Sequence, residues 1–549
     1  TRAFMSSQIT AEVAGDLLVD VKTEEKDPIV PSRMYFQGVW SEAQFTQDRA
    51  TWNVSPIGTG PYTIVDDDPL VLNLEINPDW WGDQAALEFD TVQFVYRPED
   101  AVRLGAVQTG EAHIGTWVSA DSCRAATDIE GIDCRSAPSV ETMFMKMDLR
   151  YGTDAGTVMA DKRVRLGMRL AVDFQTIIDT IMGGQGTLAH QIAGPSAVGH
   201  NSNLEPWPYD PERAKELFDE AAADGVPIYE TTLENWLLID WYANSAEIGE
   251  AVNGYLREVG LDVELIIAER DLFVQTVARK PSEPRGYVFF VGPHGNEFMD
   301  YSQSLYSQLS CHREPSSVCV EDFTAQMDVA ATLSGEARDE ALQALAKIAY
   351  DEVYNPAAIH LDLSYVADSC LVWEPPLDHR LHIKEMGWST ACGGDTDPTA
   401  APAAPAVADT PGRNIVVASN KQWESREPWR IYDDTMSSPG LRNVIEVLVD
   451  RDPVTMDLVP MLATSWEQID DLTWRFTIRD GVKFHDGSSV TAEDVAHSIN
   501  ETWAESNAWT TRAFMSSQIT AEVAGDLLVD VKTEEKDPIV PSRMYFQGV

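Results

Sequence analysis

Residues 511–549 repeat residues 1–39 without a single difference, from Thr-Arg-Ala-Phe to Gln-Gly-Val. Two identical segments cannot both fill one slot in one core, so this overlap constrains the fold more than any other feature of the chain. A perfect 39-residue match is not a solenoid period, because nothing between the copies repeats. It is the mark of a circle cut open with overlap, whether by closure of a circular or tandem sequence or by deliberate permutation. Removing one copy of 39 from 549 residues leaves 510 of unique content. The surplus copy is expected to fray or to dock weakly. The natural junction lies elsewhere. Residues 392–412 read CGGDTDPTAAPAAPAVADTPG, rich in Ala, Pro, Gly and Asp and without periodicity, which is linker composition. The linker, 389–412, separates a strand-like tail ending at Trp388 from a new start at Asn414. The natural order is then 413–510 followed by 1–388.

At roughly 100–200 residues per domain, a chain this long forms two to four domains. Hydrophobic residues at 44% and charged residues at 23% mark it as globular. Asp and Glu number 89 against 40 Lys and Arg, a formal charge of −49, which excludes nucleic acid and anionic membrane surfaces as main partners. No apolar run approaches the ~20 residues of a membrane span. The opening Thr-Arg-Ala-Phe reads as mid-sequence rather than as a signal peptide.

In the natural order, Asn414–Ala418 is a short apolar strand. Thr473–Arg479 alternates, with Trp474, Phe476 and Ile478 on one face; Asp480-Gly481 then predicts a turn into Val482–Phe484, a hairpin. Thr491 with Asp494 is a capping box ahead of the stripe Val495, Ile499 and Trp503. Asp210-Pro211 starts a helix whose stripe is Ala214, Leu217, Phe218 and Ala221, and Gly225 can end it. Ile248, Val252, Leu256 and Val259 form another stripe closed by Gly260, followed by the alternating strand Leu261–Leu265. A helix feeding a strand in this way belongs to an α/β lobe.

The segment LVPMLATSWEQIDDLTWRFTIRDGVKFHDGSSVTAEDVAHSI resembles the signature of the extracellular solute-binding proteins, family 5, the dipeptide, oligopeptide and nickel-binding class of ABC importers. Further segments resemble that family in the right order: Gly58-Thr-Gly-Pro-Tyr62, Asn77-Pro-Asp-Trp-Trp-Gly82, Leu104–Ile114 with Gly110-Glu111, Asp161–Gly186 with Asp173, and Pro208-Tyr-Asp-Pro211. The resemblance implies an α/β fold of two hinged lobes, periplasmic-binding-protein-like of type II in its large peptide-binding class. Lobe one would comprise 413–450, 56–150 and 356–388, and lobe two 151–355. A subdomain inserted in lobe one would comprise 451–510 and 1–55, with 511–549 duplicating 1–39.

The candidate solute site is the run Val291–Tyr301, a strand entering a polar loop of His294, Asn296, Glu297 and Asp300. In peptide-binding relatives this region supplies an aspartate for the ligand's α-ammonium, and Asp300 is the nearest match, although the usual Asp-Pro pair is absent. A carboxylate in a water-poor cleft holds a cation far more strongly than one on a surface. Asp300 also suits a helix cap. Trp423 and Trp429, after the first strand, would stack on solute or else pack the hinge. Cys123 with Cys134 and Cys311 with Cys319 are close pairs in polar sequence, and short local disulfides follow if the protein is exported; metal binding is the rival reading, without CxxC spacing to support it. Ala391-Cys392-Gly393-Gly394 resembles the start of a mature lipoprotein, so Cys392 is a lipidation candidate in an ancestral context, or a plain linker cysteine; the apolar segment that should precede it is missing. His485-Asp486 reads as a structural turn rather than a metal ligand pair, and no GxSxG, Walker A or HExxH motif occurs.

These features lead to a non-enzymatic receptor: the substrate-binding component of an ABC importer, without cofactor or metal. It would be a monomer at the periplasmic or extracellular face of the membrane, held there only by a lipid anchor if at all. It would capture a solute, most plainly a short peptide, and deliver it to membrane permease subunits. A nickel chelate, oligosaccharide or opine would suit the same fold. A cleft hydrolase acting on peptide or glycan, using Glu297 with Asp300, is the competing class.

Overall fold

Asp210 accepts a hydrogen bond from the Arg213 backbone N–H at 2.9 Å and Pro211 opens the first turn, so the helix Pro211–Ala223 is capped and pre-set at its start. It buries Ala214, Leu217, Phe218 and Ala221 and stops before Gly225, whose φ of +93° a side chain would resist. The helix Ser245–Glu258 likewise buries Ile248, Val252 and Leu256 and carries the chain from strand Thr232–Leu238 to the parallel strand Asp262–Ala268. Such a crossover is the unit of an α/β lobe.

The structure is a computed structural model. It describes residues 9–23, 28–34, 38–52, 54–66, 68, 70–150, 158–239, 241–273, 276–277, 287–312, 316–392, 413–420, 440–470, 472–502, 519–525 and 527–533.

The main sheet has eleven strands. From one edge it runs Asp262–Ala268, Thr232–Leu238, Tyr287–Gly295, then the long strand Ile132–Met147. The 12-residue strand Ala357–Asp368 follows, then Ile114–Gly115, Asn414–Ser419, Thr91–Tyr96, Val71–Ile76 and Tyr62–Ile64. Thr187–Leu188 pairs with Ala357–Asp368 off this path. Separate apolar cores flank the two ends. One gathers Leu72, Val92, Ile114, Ile415 and Val417 with Val13, Val21, Phe476 and Ile499. Another gathers Leu217, Phe218, Val252 and Phe289, and a third Tyr301, Leu305, Met327 and Leu345. Ala357–Asp368 reaches both sides: Tyr365 and Ala367 sit in the first core, Ile359 and Leu361 in the second. It lies antiparallel to Ile132–Met147 at the centre of the sheet.

A second sheet has six strands, in the order Ala463–Asp470, Thr473–Ile478, Leu18–Thr23, Ile9–Asp16, Leu527–Thr533, Ile519–Gly525. The first copy of the duplicated hairpin therefore fills the slot beside Thr473–Ile478, and the second copy lies along its outer edge. Within the described residues the surplus hairpin is docked rather than frayed. The predicted hairpin through Asp480-Gly481 is corrected: Val482–Phe484 does not pair back on Thr473–Ile478. Both flanks of that strand are taken, by Ala463–Asp470 and by Leu18–Thr23 with Phe476 opposite Val19. Val482 and Phe484 are buried in the core instead, and Lys483 makes an isolated bridge to Ser489. The capping box is present: Thr491 Oγ1 accepts the Asp494 N–H at 3.2 Å while Asp494 Oδ2 accepts the Thr491 N–H at 3.0 Å.

Disulfides join Cys123 to Cys134, Cys311 to Cys319 and Cys370 to Cys392. The third was not among the expected pairs: Cys392, a lipidation candidate in an ancestral context or a plain linker cysteine, is bonded here to Cys370. The turn Thr390–Cys392 lies beside the paired strands Leu371–Val372 and Gly387–Trp388, and the Ser389 N–H donates to the Cys370 carbonyl at 2.8 Å.

Candidate functional site

Where the two long strands Ile132–Met147 and Ala357–Asp368 run side by side, an open cleft forms with a cavity volume of about 50 Å³. Its floor is Leu361–Ser364 of the bridging strand. One wall is Trp117–Ala120, the turn that starts helix Ala120–Thr127; the other is Met182 and Gln185 with Tyr242–Asn244, the turn after strand Thr232–Leu238. Solute sites in α/β sheets lie in this position, beyond the carboxyl ends of parallel strands and between packed units.

Each wall is fixed by its own local chemistry. Ser119 caps its helix by accepting the Ser122 N–H at 3.2 Å, and its own N–H donates to Asp100 at 3.2 Å. The Cys123–Cys134 disulfide fastens this helix to the long strand Ile132–Met147, and the Val118 N–H donates to the Ser364 carbonyl at 2.9 Å. Trp117 has a φ of +52° and meets His379, φ +67°, ring edge to face at 5.2 Å. Backbone held in this region costs about 1–3 kcal/mol per residue and persists where the surroundings enforce it. On the opposite wall the Tyr242 hydroxyl donates to the Val291 carbonyl at 2.9 Å, while Asn244 takes a φ of +58° to turn the chain into helix Ser245–Glu258.

Asp362 is the carboxylate of this cleft. It is half-buried on the bridging strand, and its Oδ2 accepts the Gly186 N–H at 3.1 Å. Burial pushes its carboxyl up, partly offset by that hydrogen bond. A desolvated carboxylate with a single backbone donor gains strongly from a cation brought to it.

The residues singled out in the sequence lie differently. His294, Asn296, Glu297 and Asp300 do share one loop, but their polar atoms close on the helix Tyr301–Leu309. His294 Nε2 lies 3.2 Å from Ser304 Oγ, the Asn296 amide donates to the same oxygen at 3.0 Å, and Glu297 accepts from the Gln303 amide at 3.0 Å. Asp300 is 3% exposed. It caps the helix through the Ser302 N–H and takes Arg338 on both oxygens, at 2.7 and 3.0 Å. Burial alone would raise its carboxyl; the Arg338 guanidinium more than offsets this and holds it below the usual range. Asp300 as an ammonium partner is therefore corrected to a cap and buried ion pair. Trp423 and Trp429 lie outside the described residues. Asp362 is not among the residues singled out in the sequence, although His360 and Asp362 interrupt the otherwise apolar run Ala357–Leu363, the pattern a buried site leaves.

Comparison with known proteins bears on this geometry. The model of the bacterial extracellular solute-binding proteins, family 5, matches residues 2–315 and 457–548. A dipeptide-binding protein of Escherichia coli (strain K12) is 24% identical over 228 residues, covering 40% of this chain and 39% of that protein. Heme-binding protein A of Haemophilus influenzae is 26% identical over 177 residues, covering 31% and 30%. The chain thus spans about two-fifths or less of the length of these relatives. Among solved structures, the periplasmic binding protein DppA from Helicobacter pylori in complex with peptide STSA superposes with a TM-score of 0.52 at 17% identity, over 64% of this chain and 68% of that one. With the family model matching well over half of its residues, the chain belongs to the bacterial extracellular solute-binding proteins of family 5.

Proposed function

We propose that the chain is the substrate-binding component of an ABC importer, a non-enzymatic receptor outside the cytoplasm that closes on a solute and delivers it to membrane permease subunits. The observation that carries this reading is the cleft beside Ala357–Asp368, a strand that reaches both the first and the second core and lies antiparallel to Ile132–Met147. Small rotations in those strands would move the walls Trp117–Ala120 and Tyr242–Asn244 together. A solute touching both walls binds the closed form better, and that difference in affinity drives closure. Among the described residues no helix is long and apolar enough to cross a membrane.

The solute class follows from Asp362: a short peptide whose α-ammonium meets this carboxylate, with Trp117 and Tyr242 giving apolar walls. The described lining carries one carboxylate and no imidazole, which favours binding over hydrolysis. The test is mass spectrometry of small molecules released on denaturing the purified chain, joined to scattering measurements of the radius of gyration with and without ligand. A ladder of short peptides and a smaller radius on binding are expected. Asp362→Asn should weaken binding about 10- to 100-fold, the loss of one charge-assisted contact. Turnover of bound peptide, or an unchanged radius with ligand bound, would overturn the reading.

A further inference from the structure

The duplicated hairpin reports on its own binding preferences. Strand Ile9–Asp16 pairs on one flank with Leu18–Thr23 and on the other with Leu527–Thr533, both antiparallel. Residues 18–23 and 528–533 are the same sequence, Leu-Val-Asp-Val-Lys-Thr. The register is the same on both flanks. Thr10 faces Lys22 and Lys532, Ala11 faces Val21 and Val531, Glu12 faces Asp20 and Asp530, and Val13 faces Val19 and Val529. Since a slip of one residue would exchange the faces of every side chain, two copies in one register mark a specified pairing rather than a loose contact. The buried face of the acceptor hairpin is Ala11, Val13, Val19 and Val21, all without exposure. The helix Ala492–Thr502 underlies both hairpins.

We propose that the outer edge of Ile9–Asp16 is a docking site for this hairpin in trans, so that the C-terminal hairpin of one copy adds to the six-stranded sheet of a second copy. Nothing in the ladder depends on which chain donates it: the contacts are backbone hydrogen bonds in a register set by sequence, the mode of β-strand addition. Docking within one chain competes at an effective concentration on the order of millimolar for short flexible connections. Association between copies therefore emerges at high protein concentration, or when a copy whose own second hairpin is disabled meets an intact hairpin from another molecule or a free peptide. Growth by this route is head-to-tail and open.

The experiment uses the full chain and the same chain with Val529→Pro and Val531→Pro, which remove two backbone donors from the second copy and leave the buried first hairpin untouched. The probe is a fluorescent peptide of residues 511–549. Expected are saturable binding to the proline chain at least tenfold tighter than to the unmodified chain, competition by unlabelled peptide and none by a scrambled one. Light scattering should show a mass that grows with concentration for the unmodified chain and less growth for the proline chain. If the proline chain loses its cooperative melt, deletion of residues 519–549 opens the same edge. Equal affinity for both chains, no saturable binding, binding of the scrambled peptide, or an unmodified chain that stays monomeric at every concentration would each overturn the proposal.

Discussion

His485 ties together segments 427 residues apart in the chain, and its protonation state follows from the contacts. The Gly58 N–H donates to Nδ1 at 3.2 Å, so the ring proton sits on Nε2 and donates to the Gly60 carbonyl at 3.2 Å. Gly60 itself packs against the backbone of residues 443–444: a Cβ there would lie 2.6 Å from the Asn443 carbonyl oxygen. Burial holds the imidazole down at about 4, against about 6.5 when unfolded. Between those values the unfolded chain binds the extra proton, so stability rises with pH across the window, is full above it and is lost as pH falls through it. His485→Gln should lower stability at pH 7 and flatten the slope of unfolding free energy between pH 4 and 6.5; a native slope in the variant would refute the assignment. The sequence marked His485 as a turn residue but could not show the glycine loop it clamps. Asp300 is the parallel case: its cap was legible, its partner Arg338 was not. Asp300→Asn should cost about 3–5 kcal/mol by leaving a buried guanidinium uncompensated. Solute affinity of the molecules that remain folded should not change, as urea titration and calorimetry would show.

Elements were legible where the decisive contacts are local. The helix Pro211–Ala223 and the box Thr491–Asp494 follow from neighbours within one turn. The predicted hairpin at Gly481 failed because a strand from the far end of the chain, Leu18–Thr23, competes for the same edge. No window of sequence contains that competitor. The same reason hides the cleft, whose walls come from segments around 117, 185, 242 and 362. The element that links stability to this site is helix Ala120–Thr127, bound to the bridging sheet by Cys123–Cys134 across 11 residues. A loop of that size constrains the unfolded chain by about 3 kcal/mol in the chain-entropy model. Replacing both cysteines by Ser should lower the unfolding free energy by roughly that amount. It should also weaken solute binding while leaving the helix content near native, read by denaturant unfolding, calorimetry and circular dichroism on one sample. Unchanged affinity would show that the disulfide serves stability alone.

At the scale of the whole molecule, charge was legible from composition and placement was not. A formal charge of −49 repels itself most in the compact state, where 89 acidic side chains share one surface with 40 basic ones. Several of the basic groups are withdrawn from that surface: Arg338, Arg169 and Arg165 are buried. Arg165 and Arg169 donate to backbone carbonyls rather than to carboxylates. The exposed pairs that remain, such as Arg124 with Asp121 and Lys347 with Asp351, are worth about 0–1 kcal/mol each and weaken in salt. Repulsion therefore outweighs local pairing. Its range is about 30 Å at 0.01 M salt, long enough to act between lobes, and about 3 Å at 1 M. The melting temperature should accordingly rise by several degrees as sodium chloride is raised between those limits, while affinity for a cationic solute at Asp362 falls, since the same screening weakens the field that attracts it. Differential scanning calorimetry and titration calorimetry across that series would measure both. A melting temperature that falls with salt would mean that paired charges, not the excess, govern the fold.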